Sequence, residues 1–126
     1  MPSTTSASCE AGALAPAASL FRSLGDATRL AILQHLALGE HRVVDLTAHL
    51  GLAQSTVSAH LACLRDCGLV ASRPQGRASM WSLDARPELL ALLGAAESVL
   101  AVTGDAVDLC ATYGTHAHEQ AEATDQ

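Results

Sequence analysis

The sequence predicts a mainly α-helical domain with one small β-hairpin, and three observations lead to this prediction. Apolar residues recur at helical spacing in four segments between Leu14 and Gly68. Two short extended stretches follow, joined by turn residues. From Pro87 onward the apolar residues return to helical spacing. The chain has 126 residues, of which 49% are hydrophobic and 16% charged, so it suffices for one globular domain.

The first two predicted helices lie before Gly39. The first runs from Leu14 to Leu24, and the second begins near Asp26 or Thr28, whose side chains are suited to a helix N-cap. Gly39 ends the second helix. Its predicted inner face consists of Ile32, Leu33 and Leu36.

A helix-turn-helix is predicted over residues 43–67. Residues 43–50 form a short amphipathic helix that ends at Gly51, where glycine suits a left-handed backbone. Residues 54–67 form the next helix, which ends at Gly68 and has its apolar positions at i, i+4 and i+7. These inward positions are Val57, Leu61 and Leu64. Two helices joined by such a short turn make a helix-turn-helix.

A β-hairpin, or wing, is predicted after the helix-turn-helix, followed by a last helix. The strands run from Leu69 to Arg73 and from Ala78 to Leu83, with residues 74–77 as the turn. The last helix begins at Pro87, and its apolar stripe comprises Leu89, Leu92, Leu93, Ala96, Val99, Leu100, Val107 and Cys110. Because so small a core cannot cover this stripe, we expect it to pack against its copy in a two-fold homodimer.

Charge is unevenly distributed along the chain. Residues 1–86 hold all seven Arg and six acids, whereas residues 87–126 hold seven acids and no Arg or Lys. Residues 1–86 can therefore bind a polyanion although the net charge of the whole chain is −6. Phe21, Trp81 and Tyr113 are the only Phe, Trp or Tyr residues of the chain. So few rings exclude the class of domains that bind single-stranded nucleic acid by base stacking.

We divide the chain into a flexible arm (1–11), a winged helix-turn-helix DNA-binding and dimerisation domain (12–112), and a polar tail (113–126). The first twenty residues lack the basic and apolar segments of an export signal. The most apolar run, Leu89 to Val102, is shorter than the roughly 20 residues that span a bilayer. We therefore expect a cytoplasmic protein with no membrane partner, in which four cysteines suggest metal or redox chemistry.

The candidate DNA-binding residues lie on the second helix of the helix-turn-helix and on the wing. That helix enters the major groove, and its first turns carry short or amide-bearing hydrogen-bonding groups. These are Gln54, Ser55, Thr56, Ser58 and His60. Arg73 and Arg77 flank the wing tip, within reach of the DNA backbone or minor groove. The predicted partner is double-stranded operator DNA, with half-sites about 34 Å apart or a multiple of it.

Cys63 and Cys67 form a candidate metal site. Four residues apart on one predicted helix, they share a face, with β-carbons about 5–6 Å apart. At the end of that helix the negative end of the helix dipole disfavours a lone thiolate but favours a bound cation. Cys110 is the candidate third thiolate. Three thiolates suit Cd(II) or Pb(II), whereas structural zinc normally takes four ligands.

These segments together resemble the ArsR/SmtB family of winged-helix metalloregulators. Residues 24–33 (LGDATRLAIL) are similar to the family's second helix, residues 50–70 to its helix-turn-helix and residues 73–83 to its wing. The similarity covers about residues 14–112 and implies a homodimeric repressor that holds its operator when metal-free and releases it when metal-loaded. Ala53 departs from the Ser of many relatives and removes an N-cap worth roughly 1 kcal/mol.

Within the family, the Cys-x3-Cys pair with a later C-terminal cysteine resembles the cadmium- and lead-sensing CmtR branch. This resemblance implies that Cys63 and Cys67 of one subunit join Cys110 of the other. It implies Cd(II) or Pb(II) as inducer, with Zn(II) as an alternative ion. Cys9 is similar to an accessory N-terminal cysteine of that branch. The family's other thiolate motif would fall near His41, where the sequence HRVVDL contains no cysteine.

Other readings of the same residues stay open. A second candidate metal site, for Zn(II), Ni(II) or Co(II), comprises Asp105, Asp108, His116, His118 and Glu119, although their spacing fits the family's pattern badly. We expect His35, His41 and His49 to be ordinary surface or semi-buried residues. One alternative is that the thiols bind arsenite or antimonite as the inducer. Another is that they act as a redox or persulfide switch. A thiol enzyme using Cys63 with His60 is disfavoured, because no acid orients that histidine, and we predict no enzymatic activity.

Overall fold

A computed structural model describes residues 11–105 and 109 of the chain. Within these residues, a helical turn over 11–13 precedes five helices and three strands. In chain order these are α1 (Ala15–Leu24), α2 (Ala27–Leu38), β1 (His41–Arg42), α3 (Val43–Leu50), α4 (Gln54–Asp66), β2 (Val70–Gln75), β3 (Ala78–Leu83) and α5 (Arg86–Thr103). This architecture confirms the mainly α-helical prediction, with α3 and α4 as the helix-turn-helix and β2–β3 as the wing.

The ends of α2 and α3 follow from local chemistry. The Asp26 side chain caps α2 by accepting a hydrogen bond from the backbone N of Arg29 at 3.0 Å. This bond lowers the pKa of the Asp26 carboxyl, so the cap remains ionised at neutral pH. Gly51 ends α3 in the left-handed conformation, with φ at +67°. The turn that leads into α4 depends on this residue, because other side chains are strained there.

Helix α4 begins without a side-chain cap, as its sequence predicts, because Ala53 occupies the N-cap position. Replacing Ala53 with Ser supplies a hydroxyl for the free backbone N–H groups of the first turn. We expect Ala53→Ser to raise the free energy of unfolding by about 1 kcal/mol, measured by urea denaturation. Ala59→Ser places the same hydroxyl at a solvent-exposed position in the middle of α4 and should not raise the free energy of unfolding.

The core lies between the helices and one face of the sheet. Val57, Leu61 and Leu64 of α4 are fully buried, which confirms the predicted inner face. The helices around α4 contribute Ile32, Leu33, Leu36, Leu46, Leu89, Leu90 and Leu93 to the same cluster. Since α4 is held by one apolar face, its opposite face is available for other contacts.

The sheet has three antiparallel strands in the order β1-β3-β2, one more than the predicted hairpin. The additional strand, β1, has two residues, His41 and Arg42, and is too short to show a period. The predicted turn over 74–77 is too long, because Pro74 and Gln75 belong to β2. Proline is tolerated there because β2 is an edge strand. The turn itself is Gly76-Arg77.

Helix α5 is shorter than predicted. It begins at Arg86 and ends at Thr103, where Gly104 adopts the left-handed conformation with φ at +90°. Asp105 N then donates to the Leu100 carbonyl at 2.9 Å, which closes the helix end. The prediction that the helix continues to Cys110 is therefore wrong, and Cys110 itself lies outside the described residues.

The apolar stripe of α5 is divided along its length. Leu89 and Leu93 are buried in the core, and so is Leu90, which the predicted stripe omitted. Toward the end of the helix, Val99 and Val102 are 61% and 87% exposed. The core of the described chain therefore covers only the first half of the stripe. Among the described residues, no helix is long and apolar enough to cross a membrane.

Candidate DNA-binding and thiol sites

The outer face of α4 carries four of the predicted DNA-binding residues. Its first two turns expose Gln54, Ser55, Thr56 and Ser58. Between them Val57 is fully buried and anchors the helix to the core. This arrangement presents hydrogen-bonding groups outward on a rigid support.

His60, the fifth predicted residue of α4, is half-buried and contacts α2. Its Nδ1 lies 3.2 Å from Nη1 of Arg29. Because a guanidinium only donates, this nitrogen accepts, and the ring proton belongs on Nε2. Arg29 also donates from Nε to the Ser23 carbonyl at 2.6 Å and from Nη2 to the Arg22 carbonyl at 3.2 Å. Arg29, which lies outside the predicted DNA-binding set, thus links the end of α1 to α4, the second or recognition helix of the helix-turn-helix.

The two wing arginines have different surroundings. Arg77 is exposed in the turn and makes no hydrogen bond or ion pair with the described residues. Arg73 pairs with Glu40 in a two-pronged arrangement, with Nε–Oε2 and Nη2–Oε1 distances of 2.9 and 2.7 Å, and also donates to Gln75. Hydrogen bonding between the two lowers the pKa of Glu40 and raises that of Arg73. Both groups therefore remain charged at neutral pH, and Glu40 competes with any other anion for Arg73.

Cys63, in the last turn of α4, and Cys67, at its C-cap, both face α1. Both are half-buried and line an open cleft of about 550 Å³. The α1 wall of this cleft includes Ser19, Arg22 and Ser23. The pair is thus accessible to an ion from solvent.

Ser23 brings a hydroxyl to both thiols. Its side chain is a buried polar group in the described structure, with 4% of the residue exposed. Its Oγ lies 2.7 Å from Cys67 Sγ and 3.8 Å from Cys63 Sγ. Two sulfur atoms and one oxygen therefore converge between α1 and α4. Sulfur donors in this arrangement fit a thiophilic cation, because deprotonated thiols are the ligands such ions prefer.

The other predicted metal ligands are mostly outside the described residues. This holds for Cys9, Cys110, Asp108, His116, His118 and Glu119. Asp105 is described and lies exposed just after α5. The backbone N of Leu109 donates to Oε2 of Glu97 at 2.6 Å, which holds the residue before Cys110 against α5.

The helix-turn-helix and the hairpin that follows it define a winged helix-turn-helix protein. Residues 26–72 match the family described as bacterial regulatory protein, arsR family. Over 93 residues the chain is 38% identical to a probable mercury resistance operon repressor of Streptomyces lividans, covering 74% of each chain. The chain therefore belongs to the arsR family of bacterial regulatory proteins.

Two further relatives agree in sequence and fold. The transcriptional regulator CmtR of Mycobacterium tuberculosis is 44% identical over 88 residues, which cover 70% of this chain and 75% of CmtR. Its NMR structure, described as that of a cadmium metal-sensor, matches 60% of this chain and 78% of that one with a TM-score of 0.52. The homodimeric winged helix-turn-helix DNA-binding domain of Mb0332 from Mycobacterium bovis is 33% identical. The structural match to Mb0332 covers 73% of this chain and 83% of the Mb0332 chain, with a TM-score of 0.61.

Proposed function

We propose that this protein is a transcriptional repressor that binds operator DNA when metal-free and releases it when Cd(II) or Pb(II) binds its thiolates. The observation that supports this proposal most directly is that Cys63, Cys67 and the Ser23 hydroxyl lie together in one cleft beside the recognition helix. The similarity to CmtR, a cadmium metal-sensor, supports this choice of ion. The similarity to a mercury resistance repressor supports a thiophilic ion more generally.

The DNA-binding surface is proposed to combine α4 with the wing tip. Gln54, Ser55, Thr56 and Ser58 face outward on α4, and Arg77 is exposed at the turn of the wing. The functional unit is a homodimer, because one subunit leaves Phe21 of α1 and Val99 and Val102 of α5 exposed. A two-fold dimer places two recognition helices on a two-fold symmetric operator.

Metal binding is proposed to weaken DNA binding by changing how α4 sits against α1. The ion would be held by Cys63 and Cys67 together with Cys110 of the partner subunit, with Cys9 as an accessory ligand and Zn(II) as an alternative ion. Because Arg29 bonds both the end of α1 and His60 of α4, a shift between these helices reaches the DNA-binding face. By linkage, DNA must weaken metal binding by the same factor, and couplings of about 1–3 kcal/mol are usual.

The test is fluorescence anisotropy of the fully reduced protein on DNA from upstream of its own gene, titrated with Cd(II) at fixed salt. Release by about one Cd(II) per subunit supports the proposal. Binding that ignores Cd(II) contradicts the metal assignment, and parallel titrations with arsenite and with an oxidant then identify which thiol chemistry operates. An absence of DNA binding contradicts the repressor assignment itself.

The Glu40–Arg73 ion pair leads to a prediction about DNA affinity. Glu40→Gln removes the carboxylate that holds Arg73 and frees its guanidinium for a phosphate. We expect tighter DNA binding. The slope of log association constant against log salt concentration should also become steeper by about 0.9, which corresponds to one added phosphate contact. The measurement is anisotropy at several salt concentrations.

The control for this prediction is Glu88→Gln, which removes an equal charge from the exposed first turn of α5. Its salt dependence should match that of the parent chain. Equal steepening in both variants would show that only net charge matters. Unchanged binding in Glu40→Gln would show that Arg73 makes no phosphate contact.

A further inference from the structure

Three histidines from three different elements meet on one side of the domain. His35 lies on α2, His41 on β1 and His49 on α3. Each histidine offers one ring nitrogen, and these three nitrogen atoms all lie within 4.8 Å of one another. The sequence predicts ordinary surface or semi-buried side chains at these positions, and their burial agrees, since His35 and His41 are half-buried and His49 is exposed. Their convergence was not predicted.

The three rings are in contact with one another. The His35 and His49 rings are stacked, with centroids 4.8 Å apart and an interplanar angle of 11°. The His41 ring stands nearly perpendicular to both, at centroid distances of 6.1 Å from His35 and 5.6 Å from His49. A tetrahedral ion with metal–nitrogen distances of 2.0–2.1 Å requires donor atoms about 3.4 Å apart. The lone pairs of the stacked His35 and His49 rings lie in nearly parallel planes, so both rings can bind one ion only after one of them turns out of the stack. His49 is exposed and is the ring with room to turn.

A backbone contact fixes the tautomer of His41. Its Nδ1 lies 2.8 Å from the Gly39 carbonyl oxygen. Because a carbonyl only accepts, Nδ1 carries the proton and Nε2 keeps a free lone pair. A backbone carbonyl that fixes the tautomer in this way is typical of metal-binding histidines.

We propose that His35, His41 and His49 form a binding site for one divalent transition-metal ion that prefers imidazole, with Zn(II) as its representative. The site is distinct from the thiol pair, whose sulfur donors select softer ions. It has three protein ligands and a fourth position open to solvent at His49. A bound ion would join α2 and α3 to β1, the edge strand that pairs with β3 of the wing.

The first test observes the imidazoles directly in the full-length reduced protein labelled with ¹⁵N. Two-bond ¹H–¹⁵N spectra recorded with and without Zn(II) distinguish the six histidines of the chain. We expect Zn(II) to shift the ring nitrogens of His35, His41 and His49, with Nδ1 of His41 remaining protonated. Zinc-dependent shifts confined to other histidines, or none, would overturn the proposal. This measurement needs no variant and does not involve DNA, so its outcome is independent of the proposed repressor function.

The second test compares Zn(II) affinity by isothermal titration calorimetry in the parent chain and in His49→Gln. His49 is exposed, so the fold should survive the exchange, which circular dichroism can verify. One Zn(II) site per subunit should weaken at least about tenfold, since removing a ligand costs at least as much as removing its supporting bonds. The thiols are the same in both chains, so any Zn(II) that they bind cancels in the comparison. Ala48→Gln, at the neighbouring exposed position of α3, is the matched control and should retain the parent affinity, whereas equal affinities in all three chains would contradict the site.

Discussion

A chain with Cys63→Ser is expected to bind operator DNA as tightly as the parent chain and to remain bound when Cd(II) is added. The substitution replaces sulfur by a hydroxyl of similar shape, and the half-buried position tolerates it. A serine hydroxyl is not deprotonated as a thiol is, so the pair can no longer chelate a soft cation. Because the residue lies on the cleft side of α4, away from Gln54, Ser55 and Thr56 in the first turn, the proposed DNA-binding groups are unchanged.

The measurement is fluorescence anisotropy at fixed salt, with Cd(II) titrated into the preformed complex. Ala62→Ser is the matched control, because Ala62 lines the same cleft and gains the same hydroxyl while both thiols remain. The control should release DNA as the parent chain does. Full release from the Cys63→Ser chain would show that the sensing site lies elsewhere, and loss of DNA binding before any metal is added would show that the thiol is structural.

The largest expected loss of stability comes from Leu61→Ala at the centre of α4. Leu61 is fully buried and packs within the cluster formed by α2, α3, α4 and α5. Truncation removes apolar contacts and leaves a cavity that the surrounding helices fill only partly. We expect the free energy of unfolding to fall by about 2–5 kcal/mol. Since a small domain has a total stability of roughly 5–15 kcal/mol, a fraction of the protein should be unfolded at 37 °C.

Urea denaturation monitored by circular dichroism measures this loss, at one fixed protein concentration because the proposed dimerisation would add to the apparent stability. Leu38→Ala is the control, since Leu38 is 65% exposed at the end of α2. Its effect should stay within about 0.5 kcal/mol. Similar losses in the two variants would mean that α4 is not the centre of the core.

The recognition helix shows why local pattern predicted so much of this fold. Val57, Leu61 and Leu64 recur at helical spacing, and such a period can be satisfied only by one buried face. Gly51 ended α3 as expected, because its left-handed conformation is a property of that residue and its neighbours. The shared face of Cys63 and Cys67 also follows from spacing alone.

Helix α5 shows where the same reasoning failed. The apolar period continues past Gly104, so the pattern predicted a helix as far as Cys110. A glycine within a periodic segment can either remain helical or end the helix, and the choice depends on which carbonyls it can close. Strand β1 was missed for a related reason. Two residues carry no period, and pairing with Met80 and Trp81 of β3 defines the strand.

Local sequence pattern predicted the helices apart from the end of α5, together with their inner faces, the wing, the thiol pair and the family resemblance, because each depends on residues close together along the chain. Packing brings Ser23 to Cys63 and Cys67, Glu40 to Arg73, and His35 to His41 and His49. These contacts join separate elements, so they depend on how the elements pack around the core. Local spacing contains no information about that packing, which is why the chemistry of the sites emerged only with the fold.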